Sequence, residues 1–219
     1  MNNNYLPTDY QTFIATSRYA RWLEDEGRRE TWGETVERYM QNIVGGLLPK
    51  KTADEIRGAI LSLEVMPSMR SMMTAGKAAD RDNTCMYNCS YLPVDDPKSF
   101  DEAMFILLCG TGVGFSVERQ FITKLPDVPD LFQSDTTVVI KDSKEGWAKG
   151  LRQVLALLWA GEIPKWDVSK VRPAGARLKT FGGRASGPAP LIDLFNFAVT
   201  TFRQAQGRKL SSIECHDLM

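Results

Sequence analysis

Residues 86–117 read MYNCSYLPVDDPKSFDEAMFILLCGTGVGFSV, and this stretch decides the fold class. Its first part, from Met86 to Val94, has the composition and alternation of a β-strand. On that strand Tyr87, Cys89 and Tyr91 share one face, because successive side chains point to opposite sides. The stretch therefore opens with a predicted strand that carries a cysteine.

A helix and a second strand follow in the same stretch. Asp96-Pro97 is a typical helix start, because aspartate caps a helix and proline fits its first turn. Apolar residues then recur at helical spacing until Gly110, which is suited to end the helix. Residues 113–117 are predicted to form the next strand. Strand, helix and strand in this order predict an α/β fold with parallel strand pairing.

The same alternation continues toward the C-terminus. Residues 136–140 are rich in β-forming residues, and Ser143 can cap a long amphipathic helix that Gly161 closes. Val171 to Phe181 leads into a glycine-rich loop at residues 182–188, and a last helix is predicted to end near Gly207. This half of the chain is therefore predicted to continue the α/β pattern.

The N-terminal side has a different character. Residues 1–65 are predicted to be helical, with a capping box at Thr52 and Glu55 and a helix end near Met66, since Pro67 disfavours helical dihedrals in the residue before it. We therefore predict two parts, a helical N-terminal region at residues 1–65 and an α/β part at residues 66–219.

Composition excludes several classes of protein. The 219 residues are 43% hydrophobic and 25% charged, which is typical of a globular protein that buries a core. Lysine and arginine balance aspartate and glutamate, so there is no basic excess for long nucleic acid. No apolar run approaches the roughly 18 residues of a membrane span, and the N-terminus lacks a signal pattern. We expect a cytoplasmic protein with no membrane partner.

The chain has four cysteines and one histidine, His216. In the cytoplasm the cysteines are expected to be reduced, catalytic or buried rather than a disulfide framework, and a metal site is not predicted. Cys89 has two interpretations, a small buried hydrophobic residue or a redox thiol. Asp96 is either the helix cap alone or also an acceptor for a nucleotide.

Two glycine-rich segments superficially resemble loops that bind phosphate. Residues 110–114 precede a strand rather than a helix, so a tight turn is the simpler interpretation. Residues 182–188 are either a plain loop or an anion nest to which Arg184 adds charge. The residues alone therefore predict an α/β protein that binds an anion and carries a strand-borne cysteine.

Five strings in order add a resemblance to a known family. They are MPSMR at residues 66–70, YNCSY at 87–91, CGTGVGFSVER at 109–119, KDSKEGW at 141–147 and VRPAGARLKTFGGRASGP at 171–188. Together they resemble the N-terminal part of class II ribonucleotide reductases, which depend on adenosylcobalamin, and especially the ribonucleoside-triphosphate type. The resemblance implies a helical N-terminal region followed by the first part of a ten-stranded α/β barrel, which this chain leaves incomplete.

The resemblance also implies roles for individual residues. Cys89 matches a redox-active cysteine that supplies a reducing equivalent as the 2′-hydroxyl of the substrate leaves. The residues implied to bind substrate are Ser68, Asn88 and Ser90. Those implied to bind a deoxynucleoside triphosphate effector are Asp96, Arg119, Lys179, Phe181, Gly182, Gly183, Arg184 and Ser186.

The strings leave part of the family pattern unmatched. The thiyl-radical cysteine, the partner of Cys89 and the C-terminal shuttle cysteines have no counterpart, and Cys215 lies in an early-barrel string. We therefore expect an N-terminal fragment or split subunit that needs a C-terminal partner, adenosylcobalamin, a nucleoside triphosphate or diphosphate substrate, and a thioredoxin-like or other dithiol reductant. The alternative is a non-catalytic nucleotide-binding module.

Overall fold

The computed structural model describes residues 6–178 and 183–219. The chain forms two compact units, Met1–Asn88 and Cys89–Met219. The boundary predicted from sequence, between residues 65 and 66, stays a prediction about domain organisation.

The first unit is mainly helical. Its α-helices are α1 (Asp9–Ile14), α2 (Trp32–Tyr39), α3 (Lys50–Leu61), α4 (Met69–Thr74) and α5 (Lys77–Arg81). Both α1 and α2 continue into a π-helical turn, at Ala15–Tyr19 and Met40–Val44. A short antiparallel ribbon, β1 (Trp22–Leu23) with β2 (Arg28–Arg29), interrupts the predicted helical region, and Gly27 at φ 61 allows its turn.

The predicted capping box at Thr52 and Glu55 is wrong. Helix α3 begins at Lys50 after Pro49, so Thr52 already lies inside the helix. The helix also ends at Leu61, before the predicted end near Met66, and Leu63 then takes a φ of 65. A reciprocal capping box does occur in this unit, at the start of α2. There the Thr31 hydroxyl accepts a hydrogen bond from the backbone N–H of Glu34, and the Glu34 carboxylate accepts one from that of Thr31.

A buried ion pair joins the elements of the first unit. The Arg38 guanidinium donates to both carboxylate oxygens of Glu30, at 2.8 and 2.9 Å. Its remaining N–H groups donate to the carbonyl oxygens of Met72, Ala75 and Tyr19 at 2.7, 3.1 and 3.1 Å. The side chains of Arg38 and Glu30 are only 13% and 6% exposed. All five donors of this guanidinium are thus used inside the protein.

A second arginine completes this network. Arg21 donates to the carbonyl oxygens of Met73 and Thr74, at 3.3 and 3.0 Å. Its backbone N–H also donates to Glu30 at 3.0 Å. The two guanidinium groups together bind four consecutive carbonyls, from Met72 to Ala75, at the C-terminal end of α4. Carbonyls at a helix end have no partner within the helix, so the network satisfies them.

The second unit contains the predicted α/β pattern. Its strands are β3 (Cys89–Pro93), β4 (Gly112–Ser116), β5 (Phe132–Val139) and β6 (Glu162–Asp167). Its helices are α6 (Ser99–Leu108), α7 (Arg119–Ile122), α8 (Lys144–Trp159), α9 (Ala189–Gln204) and α10 (Ser212–Leu218). The strand β3 pairs in parallel with β4, and β5 pairs in parallel with β6, so the predicted parallel pairing is confirmed. Within the described ranges the sheets are two-stranded and none closes into a barrel.

The core of the second unit lies between its helices and the β5–β6 pair. Helix α8 buries Leu151, Val154, Leu155 and Leu158, and α9 buries Leu191, Phe195 and Phe202. The predicted cap of α8 is confirmed, because the Ser143 hydroxyl accepts from the backbone N–H of Gly146 at 3.0 Å. None of the helices in residues 6–178 and 183–219 has both the length and the apolar character that crossing a bilayer requires.

Gly146 and Gly58 offer a matched test of packing, since both lie inside helices. A Cβ at Gly146 would collide with the backbone carbonyl oxygen of Lys141, whereas a Cβ at Gly58 would meet nothing within 4 Å. We expect Gly146→Ala to lower the free energy of unfolding by about 1–3 kcal/mol through overpacking. Gly58→Ala should raise it by about 0.5–1 kcal/mol, because alanine favours a helix. Urea unfolding of both variants checks this, and equal shifts would contradict it.

Candidate functional site

Cys89 is the first residue of β3, and its side chain is exposed. Opposite it in the parallel register lies Gly112, and opposite Tyr91, on the same face, lies Gly114. A Cβ at Gly114 would meet only the Ser90 carbonyl oxygen, at 3.6 Å. The neighbouring strand therefore adds no side-chain bulk beside the thiol. The exposure rules out the interpretation of Cys89 as a buried structural residue.

The two residues beside Cys89 differ in orientation. Asn88 is exposed and directly precedes the strand. Ser90 points to the face opposite Cys89, because strand side chains alternate, and its hydroxyl donates to the Gly112 carbonyl oxygen at 3.1 Å. The structure therefore does not place the Ser90 side chain next to the thiol. Instead, the Ser90 hydroxyl links β3 to β4 at Gly112, the residue that pairs with Cys89.

The other three cysteines are buried, and all four lie within the described residues. Burial raises the pKa of Cys215 to about 12, which keeps its thiol protonated at neutral pH. Cys109, at the end of α6, accepts a hydrogen bond from Lys144 Nζ at 3.0 Å. That ammonium also lies 4.8 Å from the centre of the Phe105 ring. Cys89 is thus the exposed thiol of this chain.

Ser68, which the resemblance implies to bind substrate, belongs to the first unit. It directly precedes α4, it is exposed, and its carbonyl oxygen accepts from the N–H of Met72 at 3.0 Å. Its side chain makes no capping hydrogen bond. The arginine network described above holds the opposite end of this helix.

Two predicted effector residues lie near helix starts in the second unit. Asp96 is exposed, and its carboxylate accepts from the N–H of Lys98 at 2.8 Å. Because α6 begins at Ser99, the interpretation of Asp96 as the helix cap is wrong; it stabilises the turn before the helix. Arg119 is exposed at the start of α7. Among the described residues, no hydrogen bond or ion pair joins Asp96 to Arg119.

The described residues on either side of the predicted effector-binding, glycine-rich segment form the two arms of a hairpin. Backbone hydrogen bonds of 2.8–2.9 Å join its two arms, from Gly175 N to Ala185 O, from Ala185 N to Ala176 O and from Leu178 N to Gly183 O. Gly183 has a φ of 87, as expected for a glycine-dependent turn, and the Ser186 hydroxyl donates to the Gly187 carbonyl oxygen. The predicted residues Lys179, Phe181 and Gly182 lie outside the described residues.

Sequence reasoning missed two features of this unit. It gave Arg177 no role of its own, although Arg177 lies opposite Arg184 in the hairpin. The available signal for this pairing was the Gly182-Gly183 pair in the sequence, since two adjacent glycines are typical of a hairpin connection. It also missed the contact between Lys144 and Cys109, which no sequence pattern indicates. No three metal-ligating side chains converge in the part of the chain that the structure describes.

Comparisons with known proteins all find similarity to class II ribonucleotide reductases. A family model described as the insertion domain of B12-dependent ribonucleotide reductase matches residues 126–201. A structural neighbour, a crystal structure of a B12-dependent (class II) ribonucleotide reductase, superposes with a TM-score of 0.82. That match covers 94% of this chain and 38% of the other, at 22% identity. The fold is therefore that of the N-terminal part of a class II ribonucleotide reductase.

Sequence comparison with curated relatives gives the same result. Adenosylcobalamin-dependent ribonucleoside-triphosphate reductases of Lactobacillus helveticus and Lactobacillus delbrueckii subsp. bulgaricus are 24% and 28% identical over 91% of this chain. A protein of Mycobacterium phage D29, named for the same activity, is 30% identical over 80% of it. The chain is homologous to these adenosylcobalamin-dependent ribonucleotide reductases, and the resemblance drawn from the five strings is confirmed. The chain spans 30–37% of the length of these relatives.

Proposed function

We propose that this chain is the N-terminal part of a cytoplasmic, adenosylcobalamin-dependent reductase that converts ribonucleoside triphosphates to deoxyribonucleotides. Homology to proteins named for this activity supports the reaction class. The observation that carries the proposal within the structure is Cys89, which is the exposed thiol on a strand face left open by glycines. The exposure lets the thiol reach a substrate molecule.

Cys89 acts in this proposal as one of two reducing thiols. The C2′–O bond of the ribose breaks, the oxygen leaves as water, and a C2′–H bond forms. The two thiols give up two protons and two electrons in total and join as a disulfide, so atoms and electrons balance. An external dithiol, as in a thioredoxin-like protein, then reduces that disulfide. The second thiol belongs to a C-terminal polypeptide.

The other residues with implied roles complete the proposal. Ser68 and Asn88, both exposed, bind the substrate, and Ser90 contributes by fixing β4 beside the thiol. The effector, a deoxynucleoside triphosphate, binds at Asp96, Arg119 and the hairpin residues Gly183, Arg184 and Ser186. Effector binding at the hairpin then alters the preference for substrate, which makes the enzyme allosteric.

Adenosylcobalamin supplies, when bound, the radical that starts the reaction. Among the described residues, no three metal-ligating side chains converge. The chain's one histidine, His216, has Nδ1 3.1 Å from an Asp217 carboxylate oxygen, and its ring packs 5.6 Å from that of Phe115. We therefore assign the cofactor to the C-terminal polypeptide and give this chain the reductant thiol and nucleotide contacts.

Reconstitution tests the proposal. The chain is mixed with the remaining C-terminal part of a class II reductase, adenosylcobalamin, a dithiol and either CTP or CDP, and deoxynucleotide formation is followed by chromatography. We expect product only when both polypeptides are present, and more from CTP than from CDP. The control is each polypeptide alone. Nucleotide binding by this chain without turnover in a stable complex would instead favour the non-catalytic nucleotide-binding module.

A further inference from the structure

The strand pair that carries Cys89 has one covered face and one open face. On the covered face, Leu92 of β3 and Phe115 of β4 pack against the core of the second unit. On the open face Cys89 is exposed, and Tyr91 keeps 64% of its surface exposed. These two side chains share a face because side chains alternate along a strand. A large aromatic ring therefore lies beside the proposed reductant thiol and outside the core of its own unit.

The neighbouring strand leaves space beside this ring. In the parallel register Gly114 lies opposite Tyr91, and Gly112 lies opposite Cys89. A Cβ at Gly114 would meet only the Ser90 carbonyl oxygen, at 3.6 Å, which is an ordinary van der Waals contact. The φ of Gly114 is not positive, so neither packing nor backbone geometry requires a glycine there. Glycine inside a strand often marks a place where a ligand approaches the backbone closely.

The spacing of the two side chains fits a nucleoside whose ribose lies at the thiol. Positions i and i+2 of a parallel strand are about 6.6 Å apart, so Tyr91 lies one strand repeat beyond Cys89. The base of a nucleoside is attached to C1′, the carbon next to the C2′ that Cys89 is proposed to help reduce. A base on that side of the ribose therefore comes within reach of the Tyr91 ring, above the glycines of β4.

The chemistry of Tyr91 fits a base better than a phosphate. A phenol ring offers neither the positive charge nor the array of backbone N–H groups with which proteins bind phosphate. Aromatic side chains stack on nucleobases, and this stacking tolerates every base because each base has a π-face. We infer that Tyr91 stacks on the base of the ribonucleotide substrate, in a slot that Gly114 leaves open. This inference rests on the proposed function, which places the ribose at Cys89.

Two substitutions test the slot from opposite sides in the reconstituted reductase. Tyr91→Ala removes the ring, and Gly114→Val fills the space above β4. Each should raise the KM for CTP roughly tenfold, the change that about 1.4 kcal/mol produces, and a similar loss should appear with ATP. The kcat should change much less, because stacking holds the substrate and the transition state alike. The matched control is Tyr10→Ala, since Tyr10 is 72% exposed in the first unit, and it should leave both constants unchanged.

Two further readings separate stacking from a structural role. Gly114→Val should melt no lower than the unchanged chain, because valine favours a strand and the position has room for a Cβ. Tyr91→Phe should keep the KM of the unchanged chain, since it retains the ring and loses only the hydroxyl. A loss in Tyr91→Phe as large as that in Tyr91→Ala would assign the contact to the hydroxyl and overturn stacking.

Protection of Cys89 from alkylation gives a reading that needs no turnover. The other three cysteines of this chain are buried, so iodoacetamide should label position 89 first, and peptide mass spectrometry follows that label. CTP should slow the labelling of Cys89 in the complex of the two polypeptides. Tyr91→Ala and Gly114→Val should each need roughly tenfold more CTP for half-maximal protection, the same factor as for KM. Tyr91→Phe should need no more than the unchanged chain.

The same variants distinguish this inference from the proposed function. Turnover with an unchanged KM in Tyr91→Ala would overturn stacking and leave the reductase function standing. Weaker association of the two polypeptides in Tyr91→Ala, again with an unchanged KM, would assign this face to the C-terminal polypeptide and also overturn stacking. Protection of Cys89 that is weakened in both slot variants, with no turnover in any mixture, would support stacking and contradict the reductase function.

Discussion

Replacing Arg38 with methionine should lower the free energy of unfolding of the first unit by about 3–5 kcal/mol, the usual effect of removing one partner of a buried ion pair. Glu30, only 6% exposed as a side chain, would be left with its charge inside the protein. The carbonyl oxygens of Met72 and Ala75 would lose their donor at the same time. Hydrogen exchange of the α2 and α4 amides measures this unit separately from the second.

The effect of Arg38→Met should depend on pH. Burial opposes ionisation of Glu30, but hydrogen bonds from Arg38 and from the backbone of Arg21 outweigh it and lower the pKa of Glu30. A lowered carboxyl pKa stabilises the fold above the unfolded pKa, near 4.5, and this stabilisation is lost as the pH falls through the folded value. The difference between the unchanged chain and Arg38→Met should therefore be full at neutral pH and shrink in acid.

Arg28→Met is the matched control for this prediction. Arg28 also makes a bidentate ion pair: its two Nη atoms donate to the Glu34 carboxylate oxygens at 2.8 and 2.7 Å. Both of these side chains, however, are 41% exposed. Exposed pairs contribute little, so this variant should change stability far less than Arg38→Met. Adding Glu30→Gln to Arg38→Met should recover part of the loss, because it removes the unpaired buried charge. Equal effects at positions 28 and 38 would show that burial does not determine the contribution.

Cys89→Ser should abolish multiple turnover in the reconstituted reductase. Serine keeps the size and polarity of the side chain but cannot give up a hydrogen and join a disulfide. Because Cys89 is exposed, the substitution should leave the fold intact. Deoxynucleotide formed per enzyme in the presence of excess dithiol is the measurement. Sustained turnover by this variant would remove Cys89 from the proposed reduction step.

Cys85→Ser is the corresponding control, since it makes the same atomic change at a buried cysteine. It should lower the melting temperature, because the more polar hydroxyl must be buried in place of the thiol, while turnover at a temperature well below melting persists. Loss of turnover in both variants with intact folding would mean that serine substitution acts in some way other than through the thiol at position 89.

Local signals in the sequence predicted α6, α8, α9 and the strands β3 to β5, but not α4, α5, α7 or α10, and the helix predicted to be the last is followed by α10. Ser143 and the apolar spacing behind it placed α8 correctly, and Gly110, at φ 81, follows α6 as expected. Strand β6 escaped prediction because Pro164 and Lys165 interrupt its β-forming residues. The Thr52–Glu55 capping box failed because Pro49 and the residues after it already start the helix, so a valid local pattern lost to an earlier start.

For the candidate site, too, local features could be predicted from the sequence, whereas features that depend on the folded structure could not. The cysteine-bearing strand was visible in the sequence, yet its exposure was not, since either face of a parallel strand can be covered. The buried pair of Glu30 and Arg38 went unnoticed, because charged residues are by default exposed and only the folded structure shows five satisfied donors. The pairing of Arg177 with Arg184 likewise depends on hairpin register, which composition does not determine.

The parallel strand pairs of the second unit also bear on how the chain acquires its structure. Cys89 lies opposite Gly112 and Phe132 opposite Glu162, so one helix separates the partners in each pair. Contacts between segments close in sequence form quickly, because little loop entropy is lost in closing them. Each strand pair can therefore form soon after its second strand leaves the ribosome, so the strand that bears the reductant thiol gains its neighbour early in synthesis.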